Sequence, residues 1–214
     1  MGKIFYVMGK SASGKDTIYK ELVKRLPECR TVRMYTTRPV RDGETDGVEY
    51  YFVDRAFLDQ CREAGTLIEC RTYDTVYGPW DYFTVDDGQI DLDQGNYLMM
   101  GTLESYEKIR EYYGAESLAP VYIHVEDGLR LERAMARERQ QKTPKYKEMC
   151  RRFLADEEDF KEENLQRCGI VRRYENICLE NCIEEIAEEI EACIAECQAE
   201  NVWEDSAERQ VEND

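Results

Sequence analysis

The 214-residue chain carries 46 acidic against 29 basic side chains, a formal charge of −17, which argues against nonspecific binding to nucleic acid or to an anionic membrane, since both depend on basic surface. Its length suits one or two compact domains burying roughly 70% of the unfolded surface, and no apolar run approaches the roughly 20 residues of a bilayer span. Nine cysteines are an odd number for a disulfide scaffold, the chain is not small, and no secretory leader precedes the first apolar run, so a reducing cytoplasm is expected.

That first run, Ile4–Met8, fits a short buried strand and leads directly into Gly9-Lys10-Ser11-Ala12-Ser13-Gly14-Lys15-Asp16-Thr17. Two glycines let backbone N–H groups approach a polyanion, and the helix opening at Lys15 points its free N–H groups and positive dipole end at the same spot. A nucleoside triphosphate is the expected occupant, cradled by Gly9, Ser11, Ala12, Ser13, Gly14, Lys15, Asp16 and Thr17, with Lys15 reaching the outer phosphates. The usual pattern places a serine or threonine directly after the lysine as a magnesium ligand, whereas this chain has Asp16 there and Thr17 next. An aspartate near a helix N-terminus is also favourable through the dipole alone.

Ile18, Leu22, Val23 and Leu26 share one helical face, and Pro27 marks the stop. Apolar and β-branched residues alternating with Arg30 and Arg33 suggest a second strand at 31–34. Beyond it, Arg38 and Arg41 lie three apart beside Pro39. Two guanidiniums at that spacing can converge on one phosphate, because each presents a planar fork of donors that stays charged. Tyr50 or Tyr51 adds a hydroxyl. Taken alone, the segment would equally suit a solvated turn with both arginines facing water.

The phosphate loop together with Thr36-Thr37-Arg38-Pro39-x-Arg41-x-Gly43-Glu44-x-x-Gly47-x-x-Tyr50-x-Phe52 resembles the guanylate kinase family. The resemblance implies that Arg38, Arg41 and Tyr50 hold the phosphate of an acceptor nucleotide, with Glu44 fixing the arginines. It continues through Gly65-Thr66-Leu67-Ile68-Glu69 and Tyr77-Gly78, where it implies that Glu69 reads guanine and that Tyr77 touches the phosphate. A carboxylate suits guanine because it accepts from N1–H and the exocyclic amine together, a donor pair adenine lacks. A surface glutamate beside a strand is the structural alternative.

Three places depart from the family's pattern. Met34 stands where a serine usually precedes the Thr-Thr-Arg, Pro79 where a serine or threonine follows Tyr-Gly, and Met99, Met100 and Gly101 where a strand usually ends in an acidic pair. The base pocket is expected to be looser or read differently, with Tyr73, Trp80 or Tyr82 supplying stacking area. Magnesium would rest on the phosphates, on water and on Asp16.

Residues 86–95 read as a polar connection, 97–100 as a buried strand, Leu103–Tyr113 as a helix and 119–125 as a further core strand. His124, the only histidine, reads as a packed residue rather than a base. From 129 to 153 the chain turns basic, with Arg130, Arg133, Arg137, Arg139, Arg151 and Arg152. Arg133 and Arg137 share a helix face and can close over the phosphates with 140–144 as hinge or tip; Glu132, Glu138 and Glu148 equally suit a salt-bridged helix. By the resemblance, Arg133, Arg137 and Arg151, with Arg152 as alternative to the last, supply this closure. Residues 152–160 read as helical and 170–176 as the last strand and its exit. Asn176 with Leu179 resembles the family's Asn-x-x-Leu, whose asparagine contacts the donor adenine, although an asparagine starting a helix explains it as well. The final helix has Leu179, Ile183, Ile186, Ile190 and Ile194 on one stripe with cysteines nearby, a packing pattern without metal-ligand spacing. The acidic tail after 198 is expected to be disordered.

The alternation of strand and helix patterns, with the phosphate loop after the first strand, predicts an α/β fold, a P-loop NTPase-type parallel sheet core flanked by helices, and the resemblance implies a monophosphate-binding insert and an arginine-rich lid. Expected boundaries are core 1–33, insert 34–82, core 83–127, lid 128–155, core 156–198 and tail 199–214. The resemblance implies γ-phosphoryl transfer from ATP to GMP, or dGMP, with magnesium; small nucleotides are the partners, without nucleic acid or membrane. The rivals are a kinase of another monophosphate and a non-catalytic module binding a phosphorylated peptide or protein through the arginine pocket.

Overall fold

The computed structural model describes residues 1–41, 43–75 and 78–211. In chain order the elements are β1 Ile4–Met8, α1 Lys15–Arg25, β2 Cys29–Thr31, β3 Tyr35–Thr36, β4 Tyr51–Phe52, α2 Arg55–Ala64, β5 Leu67–Thr75, β6 Gly78–Val85, β7 Asn96–Met100, α3 Leu103–Tyr113, β8 Leu118–His124, α4 Asp127–Arg139, α5 Tyr146–Asp159, α6 Glu162–Arg167, β9 Tyr174–Glu175 and α7 Leu179–Val211.

A parallel sheet in the order β2-β7-β1-β8-β9 forms the core, with β1 at its centre. Successive side chains on a strand face opposite sides. Phe5 and Val7 therefore pack with Ile18 and Leu22 of α1 and Ile183, Ile186 and Ile190 of α7, while Ile4, Tyr6 and Met8 pack with Tyr106 and Ile109 of α3 and Leu165 of α6. Helices cover both faces, which explains why all five β1 residues are buried and why the strand reads as one unbroken apolar run. The strands being parallel, the C-terminal end of β1 delivers the phosphate loop to the edge where such sheets bind ligands.

Between β2 and β7 the chain builds a second sheet, β4-β3-β6-β5. Phe83, Val85, Leu67 and Cys70 pack against Leu58 and Cys61 of α2. The other side of β5 carries Glu69 and Arg71, two apart and hence on one face, with Glu69 opposite Thr84 and Arg71 opposite Tyr82 on β6.

Several elements differ from the expectations above. The strand expected at 31–34 ends at Thr31, because the chain must leave the core sheet at Val32 and start the second one at Tyr35. The strand expected over 170–176 shrinks to Tyr174–Glu175, which pair with Ile123 and His124. Leu179 is 40% exposed and lies off the stripe that Ile183, Ile186, Ile190 and Ile194 bury. Where the composition predicts a disordered tail, α7 runs on to Val211; residues 199–211 contain no glycine or proline to stop it. Among the described residues no helix is long and apolar enough to cross a membrane.

Candidate nucleotide site

The phosphate loop is held from both sides. A Cβ on Gly9 would lie 2.7 Å from the Ile123 carbonyl oxygen, and one on Gly14 would lie 2.4 Å from Asn176 Nδ2, so neither position accepts a side chain without movement. Gly14, at φ 88°, caps α1 with no side-chain hydrogen bond, which leaves the helix N-terminus open to an anion. Ala12 holds a left-handed φ of 64° without being glycine, a local strain of the kind that persists where surroundings enforce it. Lys15 Nζ sits 3.2 Å from Asp16 Oδ1, and Asp16 is 66% exposed. Such a pair is weak in water, so the ammonium exchanges easily to a phosphate.

Beneath the loop lies a charge cluster whose carboxylates did not figure in the sequence reading. Asp156 Oδ2 accepts from the Ser11 N–H at 2.8 Å, and Arg130 Nη1 donates to the Ser11 carbonyl at 3.1 Å. Arg130, fully buried and stacked over Phe153, also pairs with Asp127, Asp156 and Glu157. Lys10 joins through Glu157 at 2.7 Å. Burial alone would raise the Asp127 carboxyl, but Arg130 and Lys10 outweigh it and hold the pKa below its ordinary value. Of the lid arginines, Arg130 is thus a buried strut between α4, α5 and the loop. Arg133 donates to the Asn176 carbonyl at 2.9 Å, exposed Arg137 follows one turn later, and Arg151 makes a surface pair with Glu148 at 2.6 Å. The α4–α5 connection falls at 140–145, around the expected tip.

Asn176, expected to contact the donor base, is 3% exposed and donates from Nδ2 to the Ser13 carbonyl at 2.8 Å. The approach of its amide to Gly14 makes it a brace for the loop. His124 pairs with Glu175 at 2.8 Å.

At the monophosphate end, Arg38 and Glu44 form a two-pronged pair at 2.7 and 2.6 Å, and Glu44 also accepts from the Arg41 N–H at 2.9 Å. The Arg38 guanidinium lies 5.2 Å from each of the Tyr50 and Phe52 ring centres. Its hydrogen bonds pull the Glu44 carboxyl down to about 2. Buried Arg38 Nε has no acceptor among the described residues, so one donor remains for a ligand. Tyr82, not singled out as a phosphate contact, packs edge-on to Tyr50. Tyr77 lies outside the described residues.

The base end holds the largest departure from expectation. Glu69 is not an open acceptor. Arg71 donates to it from Nε at 2.9 Å and Nη2 at 3.2 Å, and the Thr84 hydroxyl donates at 2.8 Å. Arg71 extends to Thr102 Oγ1 at 3.1 Å and to Met34 Sδ at 3.5 Å, which gives Met34 a physical role. Burial would lower the Arg71 pKa, but the Glu69 charge reverses this and the net shift is upward. Tyr6 hydroxyl and Ser105 Oγ, 2.6 Å apart, continue the network. A Cβ on Gly101 would come within 2.1 Å of that hydroxyl, so Tyr6 fills the space of the missing acidic side chain.

Burial raises the Tyr50 pKa, and the neighbouring charges of Arg38 and Arg71 oppose it. Among the described residues no group of three or more His, Cys, Asp or Glu could hold a metal; Asp16 offers one exposed carboxylate at the phosphate loop, and magnesium needs few protein ligands because it keeps several waters. Arg71 and Asp156 were missed because a lone arginine in a strand and an aspartate in an acidic helix carry no local signal; their partners are distant in the chain or on another element.

A model of the guanylate kinase family matches residues 1–83. The guanylate kinase of Thermobifida fusca (strain YX) is 48% identical over 67 residues, 31% of this chain and 34% of that protein. That of Helicobacter hepaticus is 30% identical over 115 residues, 53% of this chain and 56% of the other, so the chain spans between a third and somewhat over half of these relatives' length. The crystal structure of guanylate kinase from Anaplasma phagocytophilum superposes with a TM-score of 0.57 at 20% identity, covering 90% of this chain and 87% of that one, a likeness of fold. The sequence match lies over the segment that carries the phosphate loop and both pocket arginines, and over that segment the chain is similar to the guanylate kinases.

Proposed function

We propose that the chain is an ATP-dependent nucleoside monophosphate kinase that transfers the γ-phosphoryl group of ATP to GMP, and to dGMP, with magnesium. The observation that carries the reading is that the chain holds both an uncapped helix N-terminus with its lysine and a buried arginine fork, preset by Glu44, that keeps an unpartnered Nε. Two phosphate sites are what a transfer between nucleotides requires and what a scaffold does not.

The residues act chiefly by placement. Loop N–H groups and the α1 dipole hold the donor phosphates, and Lys15 leaves Asp16 for the outer ones. Arg38, preset by Glu44, meets the acceptor phosphate with Arg41 and Tyr50, and Tyr77 is assigned there by the family's pattern. Fixing donor and acceptor in line supplies most of the acceleration, because phosphoryl transfer needs little proton chemistry from the protein. Arg133, Arg137 and Arg151 on α4 and α5 close over the transferred group and stabilise its spreading charge. Magnesium, held by Asp16 and the phosphates, would neutralise the β and γ oxygens.

ADP formation from ATP, tested with GMP, dGMP, AMP, UMP and CMP in parallel, checks the proposal. Turnover with the guanine nucleotides, lost in Lys15→Ala, is expected. No turnover with any monophosphate would leave only a binding module.

A further inference from the structure

We infer that the acceptor pocket does not read the 2-amino group of guanine, so that inosine monophosphate, which is GMP without that group, is phosphorylated about as efficiently as GMP, and that Arg71 is the residue responsible. This rests on the proposed transfer to GMP and concerns only how the base is selected.

A carboxylate has about four acceptor directions. Three at Glu69 are engaged, by Arg71 Nε, Arg71 Nη2 and the Thr84 hydroxyl. Reading guanine takes two acceptor positions, for N1–H and the amine; reading hypoxanthine takes one, for N1–H. One is what remains. Freeing the second would pull Arg71 away from a carboxylate that is 1% exposed and leave both charges buried without their partner, which a single amine hydrogen bond does not compensate. Arg71 is moreover anchored at its far end by Thr102 and Met34.

No second carboxylate enters from the core strand either. Position 101 is glycine, and the Tyr6 hydroxyl, bonded to Ser105, occupies the place of any Cβ there. Glu104 lines the cavity beside the pair, but it is exposed, and a carboxylate that water already satisfies discriminates little.

The two outcomes are far apart. A pocket that hydrogen-bonds a donor rejects the analogue lacking it by roughly 10⁴-fold or more. The wild-type ratio of kcat/KM for GMP over inosine monophosphate is expected within about tenfold, the scale of a minor contact difference. Arg71→Ala frees Glu69 and raises that ratio by at least about tenfold, and Arg71→Lys, which keeps the charge but not the fork, raises it less. Circular dichroism checks that the variants are folded; should Arg71→Ala fail to fold, the wild-type ratio and Arg71→Lys decide. A wild-type ratio above about 10³, or an Arg71→Ala ratio equal to wild type, overturns the inference while leaving the GMP activity standing. Absence of turnover with either nucleotide sinks the proposed activity and this inference with it.

Discussion

The two ends of the proposed acceptor pocket are built from the same pair of residue types and differ in their surroundings. At the monophosphate end Arg38 grips Glu44, and at the base end Arg71 grips Glu69, each with two hydrogen bonds. The Glu44 side chain is 18% exposed and its arginine keeps an unpartnered Nε. Glu69 is 1% exposed, and Thr84 and Thr102 pin its pair from β6 and α3. A guanidinium whose carboxylate reaches water can take up a second anion, whereas one whose carboxylate is enclosed cannot let go without leaving a charge unpaired. Geometry of the pair alone therefore does not tell a binding arginine from a locked one; the surroundings do.

The sharpest way to break this comparison is to truncate both arginines. Arg71→Ala leaves the enclosed Glu69 without its partner and should cost about 3–5 kcal/mol in urea unfolding, whereas Arg38→Ala should cost less, because Glu44 reaches water. Only Arg38→Ala should also raise KM for GMP by about a hundredfold, since only it faces the phosphate. Equal KM effects would erase the distinction. Lys15, whose partner Asp16 is exposed, extends the series to a cation free to leave. Lys15→Ala should lower kcat by about 10²–10³-fold with little loss of stability, and kcat reduced less than tenfold would remove Lys15 from the charge-stabilising role.

Acid titration separates the two pairs next. Glu44 titrates at about 2 in the folded chain against an ordinary 4.5. Its contribution is complete above about pH 4.5 and fades as pH falls through about 2, so wild-type unfolding free energy should lose about 2 kcal/mol across that window, allowing for solvent at the outer edge of the pair. Glu44→Gln should flatten that part of the profile, and an unchanged slope would deny the pair its role. The mildest test is Thr84→Val, which deletes one hydrogen bond to the enclosed Glu69 and should cost about 1.5 kcal/mol by thermal or urea unfolding. No measurable cost would mean that water replaces the hydroxyl, and Glu69 would then not be closed off.

Much of this was legible before the fold was known, and the illegible part has a common cause. β1, α1 and α3 could be read because their signals are local: an unbroken apolar run, one apolar helix face, and turn chemistry within a few residues. Arg38, Arg41 and Glu44 lie within seven consecutive residues, and the structure joins all three through the Glu44 carboxylate. The long β5–β6 ladder was not anticipated, since Leu67–Thr75 mixes charged and polar side chains whose burial depends on what docks against the insert. The likeness of Asn176 and Leu179 to the family's Asn-x-x-Leu implies a contact with the donor base, while the bond from its amide to the Ser13 carbonyl, 163 residues away, has no local signal.

Local chemistry thus carries the proposed class of molecule and the proposed place of its phosphates: glycines at 9 and 14, a lysine at a helix start and an arginine pair beside a proline act through backbone and charge within short reach. Tertiary packing alone decided the state of each charge. It buried Arg130 under the loop among Asp127, Asp156 and Glu157, placed the Tyr6 hydroxyl where position 101 would carry a side chain, and closed Glu69 with Arg71. The physical reason is that a carboxylate's availability is set by its desolvation and its partners, and both are supplied by strands and helices that only the fold brings together.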